Sequence, residues 1–517
     1  MGFVNTPPAT PVTRIITPVH YHSNFKRRLL MQPKLTLLDT DLISRVIDEA
    51  FQILQKPGIK VQNAEARELL RSAGVAVDEA TQVAKIPQSL VLSALKTVPS
   101  NFFLYDFAGN QKVHYGGDSV HFDPGSSGIN IFDPETLEHR EAETTDLLRI
   151  IKVVEGLPSY DAQSTAVVCS DVPKDIQDLY RLYLVLLHSG KPIVTGAFSN
   201  KNVQRMIDLL SVIPGGRDNL RRFPRAVFDV CPSPPLIWSN FGAGNLMALA
   251  RAGVPAEMVS MPLAGAAAPV TLIGSVTQHT AECFAGIVIH QLAGAGSPIV
   301  WGGAPAIFDM RKGGTPMGAI ETAMIDCAYS QVGKSLGLPT HTYLGGSDSK
   351  LVDTQAGLEN GMSILVGALS GINMISGAGM IDSLLCMSPE KLVIDAVSIS
   401  MARRLLRGIE TPTPTLATGF YEGVNFKGGD FLKQRITMDL FQKEQFLPGP
   451  VIDRDSMRGW RASGSLDTFA RAKVEVNKLL ANYRRPTLDP LQEQELYQLV
   501  TSYALEAGLP NLPVWAT

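Results

Sequence analysis

Ile299-Val300-Trp301-Gly302-Gly303-Ala304-Pro305 leads within two residues into Phe308-Asp309-Met310-Arg311-Lys312 and then Gly313-Gly314-Thr315-Pro316, and this stretch decides the fold. A nearly charge-free strand turns abruptly polar and aromatic, and a helical run carrying Glu321 follows. That order is one βα unit of a barrel, delivering polar groups to its mouth. Working outward, the same rhythm recurs. Strands are expected near 118–122 or 129–132, then 162–169, 192–198, 226–231, 257–264, 297–302, 339–345 and 371–377. Helices are expected near 143–155, 174–189, 201–213, 241–252, 272–293, 317–336, 355–369 and 388–407. Several of these strands are continuous apolar runs, as parallel strands covered on both faces should be. Eight such units predict an α/β fold, a (β/α)8 TIM barrel. The expected organisation is an N-terminal arm over 1–38, an α-rich region over 39–115, the barrel over 116–410 and a helical extension over 411–517.

Composition narrows the function classes. The 517 residues are 45% hydrophobic and 18% charged, with a net charge of −3. Such a chain is globular, and it offers no broad electrostatic case for nucleic acid. Cys169, Cys231, Cys283, Cys327 and Cys386 are scattered without a CxxC pair, which predicts reduced thiols and neither a disulfide framework nor a zinc signature. No apolar leader core is visible at the N-terminus, so a cytoplasmic location is expected. Two stretches without Asp, Glu, Lys or Arg, 283–308 and 360–381, are cut by glycines and read as buried helix, turn and strand, not as membrane spans.

The loops after the strands carry the candidate chemistry. Aromatic faces, carboxylates and a guanidinium around Phe308, Asp309 and Arg311 suit a small ligand with a positive and a negative end. Trp301 and Glu321 lie close in sequence, and Ser347-Asp348-Ser349-Lys350 ends the next strand. Bland readings stand beside these. Asp309 and Arg311 fit a solvated loop, Phe308 fits a core plug, and Ser347 or Asp348 fits a helix N-cap. His121-Phe122-Asp123-Pro124 opens another Gly/Ser loop and divides the same way. His341 and His121 stand near strand ends as weaker candidates, and His290 reads as a core residue. Gly333-Lys334-Ser335 lacks the leading glycine of a phosphate loop and falls inside a helix.

With these residues in view, the chain resembles the trimethylamine methyltransferase superfamily, specifically its members without pyrrolysine, which include glycine betaine:corrinoid methyltransferases. The resemblance covers about residues 35–485 and rests on Asp133 with the run to Arg140-Glu141-Ala142, and on Ser170-Asp171-Val172-Pro173. It continues in Trp301-Gly302-Gly303-Ala304-Pro305 through Arg311, and in Gly346-Ser347-Asp348-Ser349-Lys350 with Gln355-Ala356-Gly357. Lys391-Leu392-Val393-Ile394-Asp395 and Gly428-Gly429-Asp430-Phe431-Leu432 complete it. In the archaeal trimethylamine enzymes pyrrolysine occupies the loop after the seventh strand; here that loop holds ordinary residues, Gly345 to Lys350.

The resemblance implies methyl transfer from a betaine-like quaternary amine to Co(I) of a corrinoid (cobalamin) carried by a separate cognate protein, with no resident metal. On that reading Phe122, Trp301 and Phe308 would face the cationic head and Arg311 would bind a carboxylate. Asp309, Glu321 and Asp348 would attract the ammonium or orient Arg311. Co(I) is itself the nucleophile and a tertiary amine leaves neutral, so no catalytic acid or base is expected. The rivals are a non-catalytic quaternary-amine sensor barrel, a tertiary methylamine:corrinoid methyltransferase, and a zinc–thiolate enzyme that the separated cysteines do not suit. The N-terminal arm and the C-terminal helices suggest a homo-oligomer.

Overall fold

Eight parallel strands close into a barrel: β1 (His121–Pro124), β2 (Gln163–Ser164), β3 (Ile193–Thr195), β4 (Ala226–Val230), β5 (Ala256–Met258), β6 (Ile299–Val300), β7 (His341–Tyr343) and β8 (Met374–Ala378). In this computed structural model, which describes residues 32–413, 415–421 and 430–512, β2 to β6 pair in sequence order and β7 pairs with β8, which pairs with β1. Parallel bridges from Trp301 to Thr340 and from Gly128 to Val167 join the two sets and complete the ring. Of the two positions expected for the first strand, 118–122 overlaps β1. Asn130–Phe132 instead pairs antiparallel with His139–Glu141 in a hairpin outside the ring.

Each strand feeds a helix: α1 (Thr144–Glu155), α2 (Gln177–His188), α3 (Asn200–Val212), α4 (Asn240–Ala252), α5 (Leu272–Ala293), α6 (Ile320–Ser335), α7 (Thr354–Leu369) and α8 (Pro389–Leu406). Much of the polar loop punctuation serves to start these helices. Ser199, Ser239, Thr271, Asp353 and Ser388 each accept a hydrogen bond from a backbone N–H in the first turn of α3, α4, α5, α7 and α8. Both charge-free stretches are buried helix, turn and strand, and among the described residues no helix is long and apolar enough to cross a membrane. Gly333-Lys334-Ser335 closes α6.

Outside the ring, helices Thr40–Gln55 and Gln88–Leu95 pack on α5. Helix Thr468–Asn482 packs on α8 and α1, and Pro490–Glu506 on α3 and α2. Residues 1–31, which make up most of the expected N-terminal arm, and Gly428-Gly429 lie outside the described residues.

Strand parity sorts the barrel interior into layers. The lowest is apolar: Ala162, Val194, Val227, Val300 and Met374 pack with Leu104, Val113 and Tyr115. Those last three come from an antiparallel hairpin, Phe102–Tyr105 with Gln111–Tyr115, that closes the barrel floor. One layer up the residues are polar: Asp123, Asp229, Glu257, His341 and Ser376, most of them fully buried. Gly302 belongs to this layer because nothing larger fits. A Cβ there would lie 2.9 Å from His341 Nδ1 and 2.5 Å from the Met258 carbonyl oxygen.

Candidate active site

Above the polar layer, at the C-terminal ends of the strands, lies a cavity of about 380 Å3. Its wall is mainly apolar and aromatic, with Phe198, Val230, Phe241, Val259, Met261, Tyr343 and Leu384; Ser127, Cys231 and Asn245 contribute polar atoms and Asp229 the charge. A larger groove of about 680 Å3, lined by Pro33, Met401, Leu405 and Phe446, lies at the far end of α8 and contains no acid. Unlike that groove, the cavity at the barrel mouth places a buried acid against an apolar, aromatic wall.

A chain of hydrogen bonds supports Asp229 from below. The Tyr343 hydroxyl donates to Asp229 Oδ2 at 2.8 Å, and the Tyr115 hydroxyl donates to Glu257 Oε2 at 3.0 Å. His341 Nε2 lies 3.3 Å from Glu257 Oε1 and 3.0 Å from Ser376 Oγ, which in turn donates to Asp123 Oδ1 at 2.5 Å. Among the described residues, no lysine or arginine pairs with any of the three acids. Burial pushes Asp229, Glu257 and Asp123 above the ordinary carboxylate range, and Glu257 and Asp123 are pushed further by their neighbouring acids. Asp229 and Glu257 face each other at close range, and burial together with this proximity favours keeping a proton on the pair. Burial also lowers the His341 imidazole to about 3, so the ring is neutral. Donor atoms of Asp229, Glu257 and His341 lie within 4.8 Å of one another, a spacing that also suits a metal ion.

The residues singled out from the sequence lie elsewhere. On β1 the side chains of His121 and Asp123 point inward. Phe122 faces outward into the helix layer, where the Arg403 guanidinium stacks 5.3 Å from its ring. Trp301 follows the same parity beyond β6: Val300 and Gly302 face in, and the indole faces out. It packs on Phe284 and against Gly333 of α6, and its Nε1 donates to the Tyr329 carbonyl oxygen at 3.0 Å.

Phe308 is half-buried beyond the strand end, and Glu321 is exposed in the first turn of α6. Asp309 and Arg311 pair with each other in a surface turn at 2.8 Å, with the Arg311 side chain 87% exposed. That pairing holds the Asp309 carboxyl down at about 2. Asp348 accepts from the Met317 and Gly318 N–H groups and from Ser383 Oγ, tying together the loops after β6, β7 and β8. None of the seven lines the cavity.

Asp229, Glu257 and Tyr343 escaped the sequence reading, and His341 was only a weak candidate. The signal for them was an acid in an otherwise apolar strand, as in Ala226-Val227-Phe228-Asp229-Val230 and Ala256-Glu257-Met258.

Fold and cavity together define a (β/α)8 barrel protein with one charged, ring-walled hollow at its mouth. The sequence model of the family described as trimethylamine methyltransferase matches residues 18–507, and the chain belongs to that family. It is 31% identical over 465 residues to trimethylamine methyltransferase MttB2 of Methanosarcina mazei, covering 88% of this chain and 92% of that one. Against the glycine betaine methyltransferase of Desulfitobacterium hafniense it is 28% identical over 478 residues, 92% and 98% of the two chains. The solved monomethylamine methyltransferase MtmB of Methanosarcina barkeri superimposes with a TM-score of 0.50 at 12% identity, over 92% of this chain and 89% of that one, a likeness of fold.

Proposed function

We propose that the chain demethylates a betaine-like quaternary methylammonium compound in the cytoplasm and passes the methyl group to Co(I) of a corrinoid carried by a cognate protein. The observation that carries this reading is the uncompensated acid pair under a ring-walled cavity. Asp229 and Glu257 have no lysine or arginine partner among the described residues, and the rings of Phe198, Phe241 and Tyr343 stand around the cavity above them. A permanent cation satisfies both, each ring face adding about 0.5–2 kcal/mol and the buried charge supplying attraction in a poorly screened site. The apolar wall excludes water and fixes one N-methyl toward the mouth, while the departing amine is neutral and needs no proton from the protein.

The rim suits a docked partner. Ile129, Phe198, Met261, Met310 and Leu385, from the loops after β1, β3, β5, β6 and β8, and Phe241, from the first turn of α4, are exposed apolar side chains on one face. When docked there, the corrinoid would supply the nucleophile. Five unpaired cysteines accord with a reducing compartment.

A second reading, a tertiary methylamine as substrate, draws on the proton held by the acid pair, since such an amine must stay protonated to leave. Incubating the protein with corrinoid protein, a reductant and a panel of methylated amines, with demethylated product followed by NMR, tests both. Quaternary substrates should turn over. Tight binding with no demethylation of any compound would leave a sensor barrel and end the catalytic reading. Stoichiometric metal in the purified protein would transfer Asp229, Glu257 and His341 to a metal-binding role.

A further inference from the structure

Arg181, on the inner side of α2, is fully buried and forms no ion pair among the described residues, Asp178 acting on it only through space. All of its hydrogen bonds use one nitrogen: Nη1 donates to the Thr165 carbonyl oxygen at 2.8 Å and, more weakly, to Ser127 Oγ and the Val167 carbonyl oxygen. Nε and Nη2 have no acceptor. Asp178, one turn earlier on α2, does not pair with it. Its carboxylate instead accepts from the backbone N–H of Phe198 at 2.6 Å, from that of Leu179 and from Asn202 Nδ2.

What covers the guanidinium is the ring of Phe198, centred 4.6 Å away and 42% exposed. Phe198 and Ser127 both line the cavity. Tying the β1 and β2 loops explains Nη1 and leaves the other two nitrogens unexplained. A buried arginine without an acceptor for its fork is costly, so such a fork marks a place for a planar anion.

We propose that Arg181 is the specificity-determining residue of the cavity, receiving a carboxylate at the far end of the substrate when the Phe198 ring rotates aside. This rests on the cavity taking a methylammonium group as proposed above. The site then carries charges in the reverse order of a zwitterion: a negative acid pair for the ammonium, a guanidinium for the carboxylate, and a ring that shields the latter until the ligand arrives. Burial lowers the Arg181 guanidinium to about 10, still charged at neutral pH.

Calorimetric titration of the full chain with glycine betaine and with tetramethylammonium reads the ratio of their dissociation constants. The wild type should favour glycine betaine. Arg181→Met should reduce that preference about ten- to a hundredfold, and Arg181→Lys, which keeps the charge without the fork, should restore part of it. A wild-type protein that binds both ligands without preference overturns the proposal, whatever the stability of the variants. So does an unchanged ratio in Arg181→Lys and Arg181→Met. If neither ligand binds the wild type, the methylammonium reading of the cavity falls first and this proposal with it.

Discussion

Two acids at the mouth side of the barrel, Asp309 and Asp229, show how burial decides what a carboxylate can do. Asp309 sits in a solvated turn, satisfied by Arg311 two residues away and held at about 2. Its charge is cancelled locally and screened by water, so little attraction is left for a ligand. Asp229 sits on the cavity floor with Glu257, and burial pushes both upward. Without a counter-ion, any charge on that pair is not cancelled locally and can act on whatever enters. Sequence position marked only Asp309 as a candidate; solvent access shows why Asp229 is the acid better placed to act on a ligand.

The comparison can be broken or sharpened in four ways. The largest effect is expected at another buried charge, Lys391, which pairs with Asp395 at 2.6 Å and donates to the Gly345 carbonyl oxygen, with both side chains 1% exposed. Lys391→Met strands Asp395 in the core and should cost about 3–5 kcal/mol, read by denaturant unfolding. A loss no larger than that of a surface pair would show that burial is not what sets the scale here.

Next comes Asp229→Asn, which should weaken methylammonium binding by about a hundredfold while leaving the melting temperature unchanged or raised, since an unfavourable buried charge is removed. Unaltered binding would remove the acid pair from the site.

A smaller, graded effect is expected with pH. Both acids have folded values above their unfolded ones, so the native state holds the extra protons. Stability from the pair is therefore full below the ordinary range near about 4 and declines as pH rises through the folded values. Cation affinity should rise over that same interval as the first proton leaves. Paired calorimetry and thermal melts across pH check the opposite slopes, and parallel slopes would contradict the shared-proton account.

The smallest effect belongs to Arg311→Ala, whose turnover should stay within about twofold because the lost pair is solvated. A selective loss of carboxylate-bearing substrates in a steady-state assay would return the anion-binding role to the surface turn.

Nearly all of the fold was legible in the sequence, because a buried parallel strand and its covering helix differ in length and in loop chemistry. Ile193–Thr195, Ala226–Val230 and Leu272–Ala293 fall where the apolar runs put them. The first strand stayed ambiguous since both candidates do form strands, and only pairing with β8 selects His121–Pro124. The site was less readable for two reasons. Parity turns Phe122 and Trp301 outward, and a shift of one residue in assumed register reverses which face an aromatic takes. Convergence is the other reason: Asp229, Glu257, His341 and Arg181 come from β4, β5, β7 and α2, and no local pattern links them.

The hairpin that closes the barrel floor has a consequence of its own. Tyr115 belongs to a ribbon outside the eight strands, yet its hydroxyl reaches Glu257, the hidden half of the acid pair. The ionisation of the chamber at the barrel mouth is thus tied to a segment at the opposite end of the barrel. Substitutions in that ribbon, made without touching the entrance, offer a rear-side dial for how strongly the chamber draws a cation.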